Sequence, residues 1–139
     1  MTAYVDSTIL LRLALRQPNA LPEWRKVHRG VSSTLIQVEC LRTLDRLRLA
    51  MALSDAEMAK RRAVVLALID SLELVHVDSS VLNRAAQPMP TSLGTLDAIH
   101  LATALLWQQA EASTLTFATH DEALARGALA HGFLTVGTQ

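Results

Sequence analysis

Short apolar runs of strand character are followed along this chain by longer stretches with apolar residues at helical spacing. Ala3-Tyr4-Val5 reads as a buried strand, and Asp6-Ser7-Thr8 then offers N-cap chemistry to the apolar run 9–15. Gln17-Pro18-Asn19 closes that helix, because proline disfavours helical backbone in the residue before it. Residues 21–29 predict a short helix with Pro22 in its first turn and Gly30 as its stop. Val31-Ser32-Ser33 is a brief strand, and residues 35–51 carry apolar positions at helical spacing between charged ones. Ser54-Asp55-Ala56-Glu57 is a capping box that opens a second long helix to about Asp70, so the two helices form a hairpin.

The second half repeats this alternation. Residues 73–77 alternate as a strand, and Asp78-Ser79 start a short helix. A Pro-rich loop over 87–94 precedes a helix at 95–112. A strand at 114–118, a helix at 121–130 and a last strand at 133–136 complete the chain. Strands separated by helices need crossover connections, so the sheet should be mostly parallel, with helices on both faces. No internal repeat or domain boundary interrupts residues 1–139, which read as a single domain.

Composition narrows the function. Half of the 139 residues are apolar and 19% are charged, enough for a packed core without disulfides. Aromatic residues make up 4%, which argues against a base-stacking platform as the main recognition device. The single cysteine, Cys40, excludes an internal disulfide and a cysteine zinc cluster, and makes a reducing cytoplasm the expected compartment. An acid at position 6 falls where a signal peptide stays apolar. The apolar stretch from 98 to 107 is too short to span a bilayer, so no membrane association is expected.

Net charge is zero but unevenly spread. Residues 1–62 hold eleven Lys/Arg against six Asp/Glu, and residues 63–139 hold two against seven. The basic half is either an ordinary solvated helical surface or a face for a polyanion or partner, with Arg42, Arg46, Lys60 and Arg61 as its candidate contacts.

Four acids carry the candidate chemistry: Asp6, Glu39, Asp97 and Asp121. Each has an ordinary structural explanation. Asp6 and Asp121 precede helices as N-caps, worth about 1 kcal/mol each. Asp97 lies in a first helical turn, where the macrodipole favours an acid, and Glu39 can pair with Arg42 three residues on. These explanations leave unexplained why three acids fall at the same end of the sheet. Two carboxylates about 4 Å apart repel by roughly 4 kcal/mol at an effective dielectric of 20, so a cluster must take up protons or cations. Oxygen ligands without cysteine suit Mg²⁺ or Mn²⁺, with Ser7, Thr8 and Thr119 as donors that orient carboxylates or water.

Other residues have blander roles. His100 shares a helix face with Asp97, and His120 adjoins Asp121; both are expected to serve packing or hydrogen bonding. Cys40 is expected to be a small buried hydrophobe, and Trp24 and Trp107 core or interface residues.

Four segments together match a known family: Tyr4-Val5-Asp6-Ser7-Thr8, residues 33–39 ending in Glu39, Leu96-Asp97-Ala98-Ile99-His100-Leu101-Ala102-Thr103-Ala104, and Phe117-Ala118-Thr119-His120-Asp121-Glu122-Ala123-Leu124. The third is the most specific; the others are weak singly and strong in this order. On them the chain resembles the PIN-domain nucleases, most closely the VapC-type toxins of bacterial toxin–antitoxin pairs, over essentially its whole length. The resemblance implies a compact α/β/α sandwich with a four- or five-stranded sheet and Mg²⁺- or Mn²⁺-dependent endoribonuclease activity. It makes Asp6, Glu39, Asp97 and Asp121 the catalytic, metal-binding acids, with Asp6 and Asp97 the firmest ligands. It further implies structured RNA (tRNA or ribosomal RNA) as substrate, arrest of translation, a VapB-like antitoxin covering the site, and a homodimer within a toxin–antitoxin assembly. The apolar hairpin of residues 35–70 is then the expected antitoxin groove.

The alternative is a non-catalytic PIN-like module that binds RNA or protein. Two other acid-based α/β classes fit worse. A dehalogenase-type phosphatase needs an acid at position 8, which is Thr8, and a receiver domain needs a lysine near its last strands, where the chain has none.

Overall fold

The computed structural model of the protein describes residues 1–138. Five strands, β1 (Thr2–Val5), β2 (Arg29–Ser33), β3 (Glu73–Val75), β4 (Thr116–Ala118) and β5 (Leu134–Val136), form one sheet in the order β3-β2-β1-β4-β5. Every pairing is parallel. Between them run α1 (Ser7–Ala14), α2 (Leu35–Leu49), α3 (Asp55–Asp70), α4 (Ser79–Ala85), α5 (Thr95–Glu111) and α6 (Glu122–Ala130). The expected α/β/α sandwich is present, with five strands.

The pleat of β1 sorts the two layers. Ala3 and Val5 pack with Ile9, Leu10, Ile36, Cys40, Leu44 and Val65 of α1, α2 and α3. Tyr4, between them, points to the opposite face and packs with Leu101, Trp107, Phe117 and Leu124. A central parallel strand is covered on both sides, which is why Ala3-Tyr4-Val5 shows no apolar–polar alternation. Trp107 is accordingly a core residue: its indole N–H donates to Glu73 Oε1 at 3.1 Å.

Local signals hold at most boundaries. The Ser54 hydroxyl accepts from the Glu57 N–H at 3.2 Å, and Asp78 caps α4 by accepting from Val81. The segment 21–29 differs from its expectation. Only Pro22–Lys26 is helical, as a 3₁₀ turn, and Arg29 and Gly30 already belong to β2, paired with Thr2 and Ala3. Gly30 is a strand residue packed on Leu72 and not a helix stop; a Cβ there would lie 2.5 Å from Leu72 Cδ2, so that side chain would have to shift.

The order of strands places the site. From β1 the chain moves outward through β2 to β3, then returns across the sheet to β4 and β5 on the other side of β1. The direction of winding therefore reverses between β1 and β4, and ligands in open parallel sheets bind beyond the carboxyl ends of the strands at such a point. Val5 and Ala118 are paired there, and the residues that follow them are Asp6 and Thr119. Beside them Gly137 has φ +103°, and a Cβ on it would lie 2.4 Å from the Thr119 carbonyl oxygen. Gly137→Ala is expected to destabilise the protein by more than about 1 kcal/mol, read as a lower urea midpoint with unchanged slope.

Candidate active site

Asp6 is the buried anchor of the switch point, 3% exposed. Its Oδ1 accepts from the Thr8 N–H at 3.1 Å, the Ile9 N–H at 3.3 Å and the Thr8 hydroxyl at 2.6 Å. Among the described residues its Oδ2 accepts only from the Thr119 hydroxyl, at 2.6 Å. The N-cap role and a ligand role are thus compatible: Oδ1 caps α1, and Oδ2 keeps a lone pair for a cation. Both threonines are held in turn from behind. Thr8 Oγ1 accepts from the His120 N–H at 2.9 Å, and Thr119 Oγ1 accepts from the Asp121 N–H at 3.0 Å. Each hydroxyl proton is thereby committed to Asp6. Burial pushes the Asp6 carboxyl above its usual range, with the Thr119 and Thr8 hydrogen bonds opposing.

The other three acids come to the same end of the sheet on separate elements. Asp121 caps α6, its Oδ1 accepting from the Leu124 N–H at 3.0 Å. Asp97 sits in the first turn of α5. Glu39 lies in the second turn of α2. Asp97 and Asp121 therefore stand at helix N-termini, whose partial positive charge favours anions. That charge does not balance them. The Asp97 carboxyl is pushed up, first by desolvation, then by Asp121, and further by Asp6 and Glu39, while His100 opposes. All four carboxylates share one field.

Glu39 does not use Arg42 as its partner. Arg42 pairs with Asp45 at 3.2 Å, while Glu39 Oε1 accepts from His100 Nε2 at 2.5 Å. His120 hydrogen-bonds through its ring, its Nδ1–H donating to the Gly137 carbonyl at 2.8 Å. Cys40 is buried, and desolvation, with Glu39 and Asp6 nearby, pushes its thiol up to about 12, which leaves it an inert core residue.

Among the described residues no three His, Cys, Asp or Glu side chains close around one point as a ready-made cage. An ion at this end of the sheet would be held by carboxylate oxygens, with water completing its shell. Mg²⁺ takes such sites, since it dehydrates reluctantly and keeps several waters. The donor set fits it: oxygen only, with a free lone pair on Asp6 Oδ2.

The PIN domain family matches residues 3–129, a span that includes all four acids. The chain belongs to the PIN domain family. Among curated proteins, this PIN domain is 41% identical over 104 residues to Ribonuclease VapC46 of Mycobacterium tuberculosis, covering 73% of this chain and 72% of that protein. It is 30% identical over 139 residues to Ribonuclease VapC47 of Mycobacterium tuberculosis, covering 95% and 93%. A solved toxin–antitoxin complex from Klebsiella pneumoniae contains a chain of the same fold, with TM-score 0.64 and 16% identity over 99% of this chain and 95% of that one.

Beside Glu39 of the PIN domain, Ser7, Val38, Arg42, Thr43, Arg46 and Leu96 line one groove. Val38 and Leu96 are about half exposed within it. Sequence reasoning passed over both; the signal was an apolar Val38 beside Gln37 and Glu39 on a charged helix face. The basic candidates divide. Arg42 and Arg46 stand in this groove, whereas Arg61 turns inward, pairing with Glu57 at 3.0 Å and donating to the Ala14 carbonyl at 3.3 Å. Lys60 is exposed on α3, and a second groove along the hairpin is lined by Leu41, Leu44, Arg48, Met58 and Arg62. No helix among the described residues is long and apolar enough to cross a membrane.

Proposed function

We propose that this PIN domain is an Mg²⁺- or Mn²⁺-dependent endoribonuclease and the toxin of a toxin–antitoxin pair, cutting structured RNA such as tRNA or ribosomal RNA and so arresting translation in the cytoplasm. The observation that carries this reading is the shared field of Asp6, Glu39, Asp97 and Asp121 at the switch point, which calls for a cation. Relatives named as ribonucleases support the same chemistry.

Asp6, through Oδ2, and Asp97 are the direct ligands in this reading; Glu39 and Asp121 act directly or through bound water. The bound ion would activate a water, polarise a phosphoryl oxygen and offset charge on the leaving oxygen. The chain itself does the positioning. Thr8 and Thr119 fix the rotamer of Asp6 by donating to both of its oxygens. Arg42 and Arg46 flank Glu39 and Ser7, where they meet an RNA backbone led across the acids. The half-exposed Val38 and Leu96 give the same groove apolar anchors for a helical segment of a VapB-like antitoxin, which would cover the site. A homodimer within that assembly is part of the proposal.

Purified protein incubated with total RNA in Mn²⁺, and in parallel with EDTA, tests the reading. Cleavage is expected only with the ion, and Arg46→Glu is expected to lower it about tenfold at physiological salt without changing Mn²⁺ affinity. RNA left intact in Mn²⁺ while still being bound would replace the nuclease with a non-catalytic RNA-binding module.

A further inference from the structure

One buried polar chain runs from the core of the sheet into the acidic site. His100 is 1% exposed and both of its ring nitrogens are engaged. Nδ1 lies 2.6 Å from the hydroxyl of Tyr4, and Nε2 lies 2.5 Å from Glu39 Oε1. Tyr4 is fully buried, stacked on Phe117 at 5.0 Å and edge-on to His100 at 5.8 Å. One imidazole thus ties β1, α2 and α5 together across separations of 96 and 61 residues.

The proton directions follow from the partners. An ionised Glu39 only accepts, so Nε2 carries a hydrogen and donates. In the neutral ring Nδ1 is then an acceptor, and the Tyr4 O–H donates to it. Glu39 therefore selects the tautomer, as carboxylates do for histidines in metal sites, and the Tyr4 hydroxyl completes it from the other side of the ring. A buried hydroxyl is expensive without partners; besides the Ser32 and Thr103 hydroxyls, that of Tyr4 has His100, and this contact leads to the site.

We propose that Tyr4 and His100 are positioning residues for Glu39. His100 holds Oε1, so that Oε2 is the oxygen presented to the cation or its water. Neither residue touches the ion or the RNA. This role rests on the reading of the acids as a divalent-cation site.

Mn²⁺ affinity, measured on the full chain by titration with detection of free Mn²⁺ by electron paramagnetic resonance, tests it. His100→Ala is expected to weaken Mn²⁺ binding about 10–100-fold, the usual effect of losing a partner behind a ligand. His100→Gln keeps an N–H donor at the same reach and is expected to recover at least half of that loss on a logarithmic scale. Tyr4→Phe, which keeps the ring in the core, is expected to weaken binding several-fold. In a Glu39→Gln background, His100→Ala is expected to add nothing, because its effect passes through Glu39. Circular dichroism identifies any variant that fails to fold, and Tyr4→Phe then carries the test. If wild type binds Mn²⁺ and Asp97→Asn does not, yet His100→Ala and Tyr4→Phe bind like wild type, the site stands and the relay is overturned. Equal losses from His100→Ala with and without Glu39 also overturn it. If wild type binds no Mn²⁺, the cation-site reading falls and the relay falls with it.

Discussion

Asp97→Asn is expected to slow cleavage of a labelled single-stranded RNA by at least about a thousandfold, with circular dichroism unchanged. Loss of a directly bound ion removes several kcal/mol of transition-state stabilisation, and each 1.36 kcal/mol is a factor of ten. Asp97 is the cleaner choice for this experiment. It makes no hydrogen bond among the described residues, so asparagine removes a charge and little else. Asp6→Asn would also turn an amide N–H₂ toward the Thr119 or Thr8 hydroxyl, both of which already donate to it. Loss of activity there mixes chemistry with packing. A rate within threefold of wild type for Asp97→Asn would remove Asp97 from the catalytic set.

The second large effect is on stability. Mn²⁺ at a hundred times its dissociation constant stabilises the folded state by about 2.7 kcal/mol. With an unfolding entropy of about 2.1 cal/mol/K per residue, a chain of this length should melt about 9 °C higher. The metal-free protein should respond to pH in the opposite sense from one held by paired carboxylates. The Asp6 and Asp97 carboxyls titrate above their ordinary value of 3.8 in the folded state, so folding takes up protons. Their contribution is fullest below 3.8 and is lost as pH rises through the folded values. Mild acidification from neutrality should therefore raise the metal-free melting temperature and shrink the gain from Mn²⁺, against an opposing contribution near pH 6.5 from His131, which burial and Arg84 hold low. Below about 4 the trend reverses as Asp45 and Glu73, both held low, begin to protonate: Asp45 first by its hydrogen bond with Arg48, Glu73 first by its hydrogen bond with Trp107. Scanning calorimetry between pH 4 and 8 reads both effects. Melting curves that ignore Mn²⁺ across this range would contradict the site.

What could be read from the chain was local. The caps at Ser54, Asp6, Asp78 and Asp121 and the alternation of strand and helix all rest on residues within a few positions of one another, and all are present, although the Glu57 side chain pairs with Arg61 and does not close the expected capping box. Three of the four acids could be placed at strand or helix ends for the same reason. The misreadings arise where a distant partner overrides a near one. Gly30 looks like a helix stop until Leu72, 42 positions later, explains it. Glu39 looks like the partner of Arg42 at helical spacing, yet Arg42 is claimed by Asp45 and Glu39 by His100. Arg61 sits in a basic run, but a carbonyl on α1 turns it inward. No rule of spacing reaches 61 residues, so the Tyr4–His100–Glu39 chain was out of reach, although His100 itself could be assigned to hydrogen bonding.

The hydrogen bond from Thr119 to Asp6 closes a loop of 113 residues. During synthesis at about 5–20 residues per second, the carboxylate waits roughly 6–23 s before its threonine has even been added. Until then β1 has no neighbour on its β4 side, Oδ2 has no donor to orient it, and Asp121 does not yet exist. A nascent chain therefore carries the first acid of the pocket through translation without the means to use it. If the pocket cuts RNA as proposed, it can do so only once the last fifth of the protein has been made.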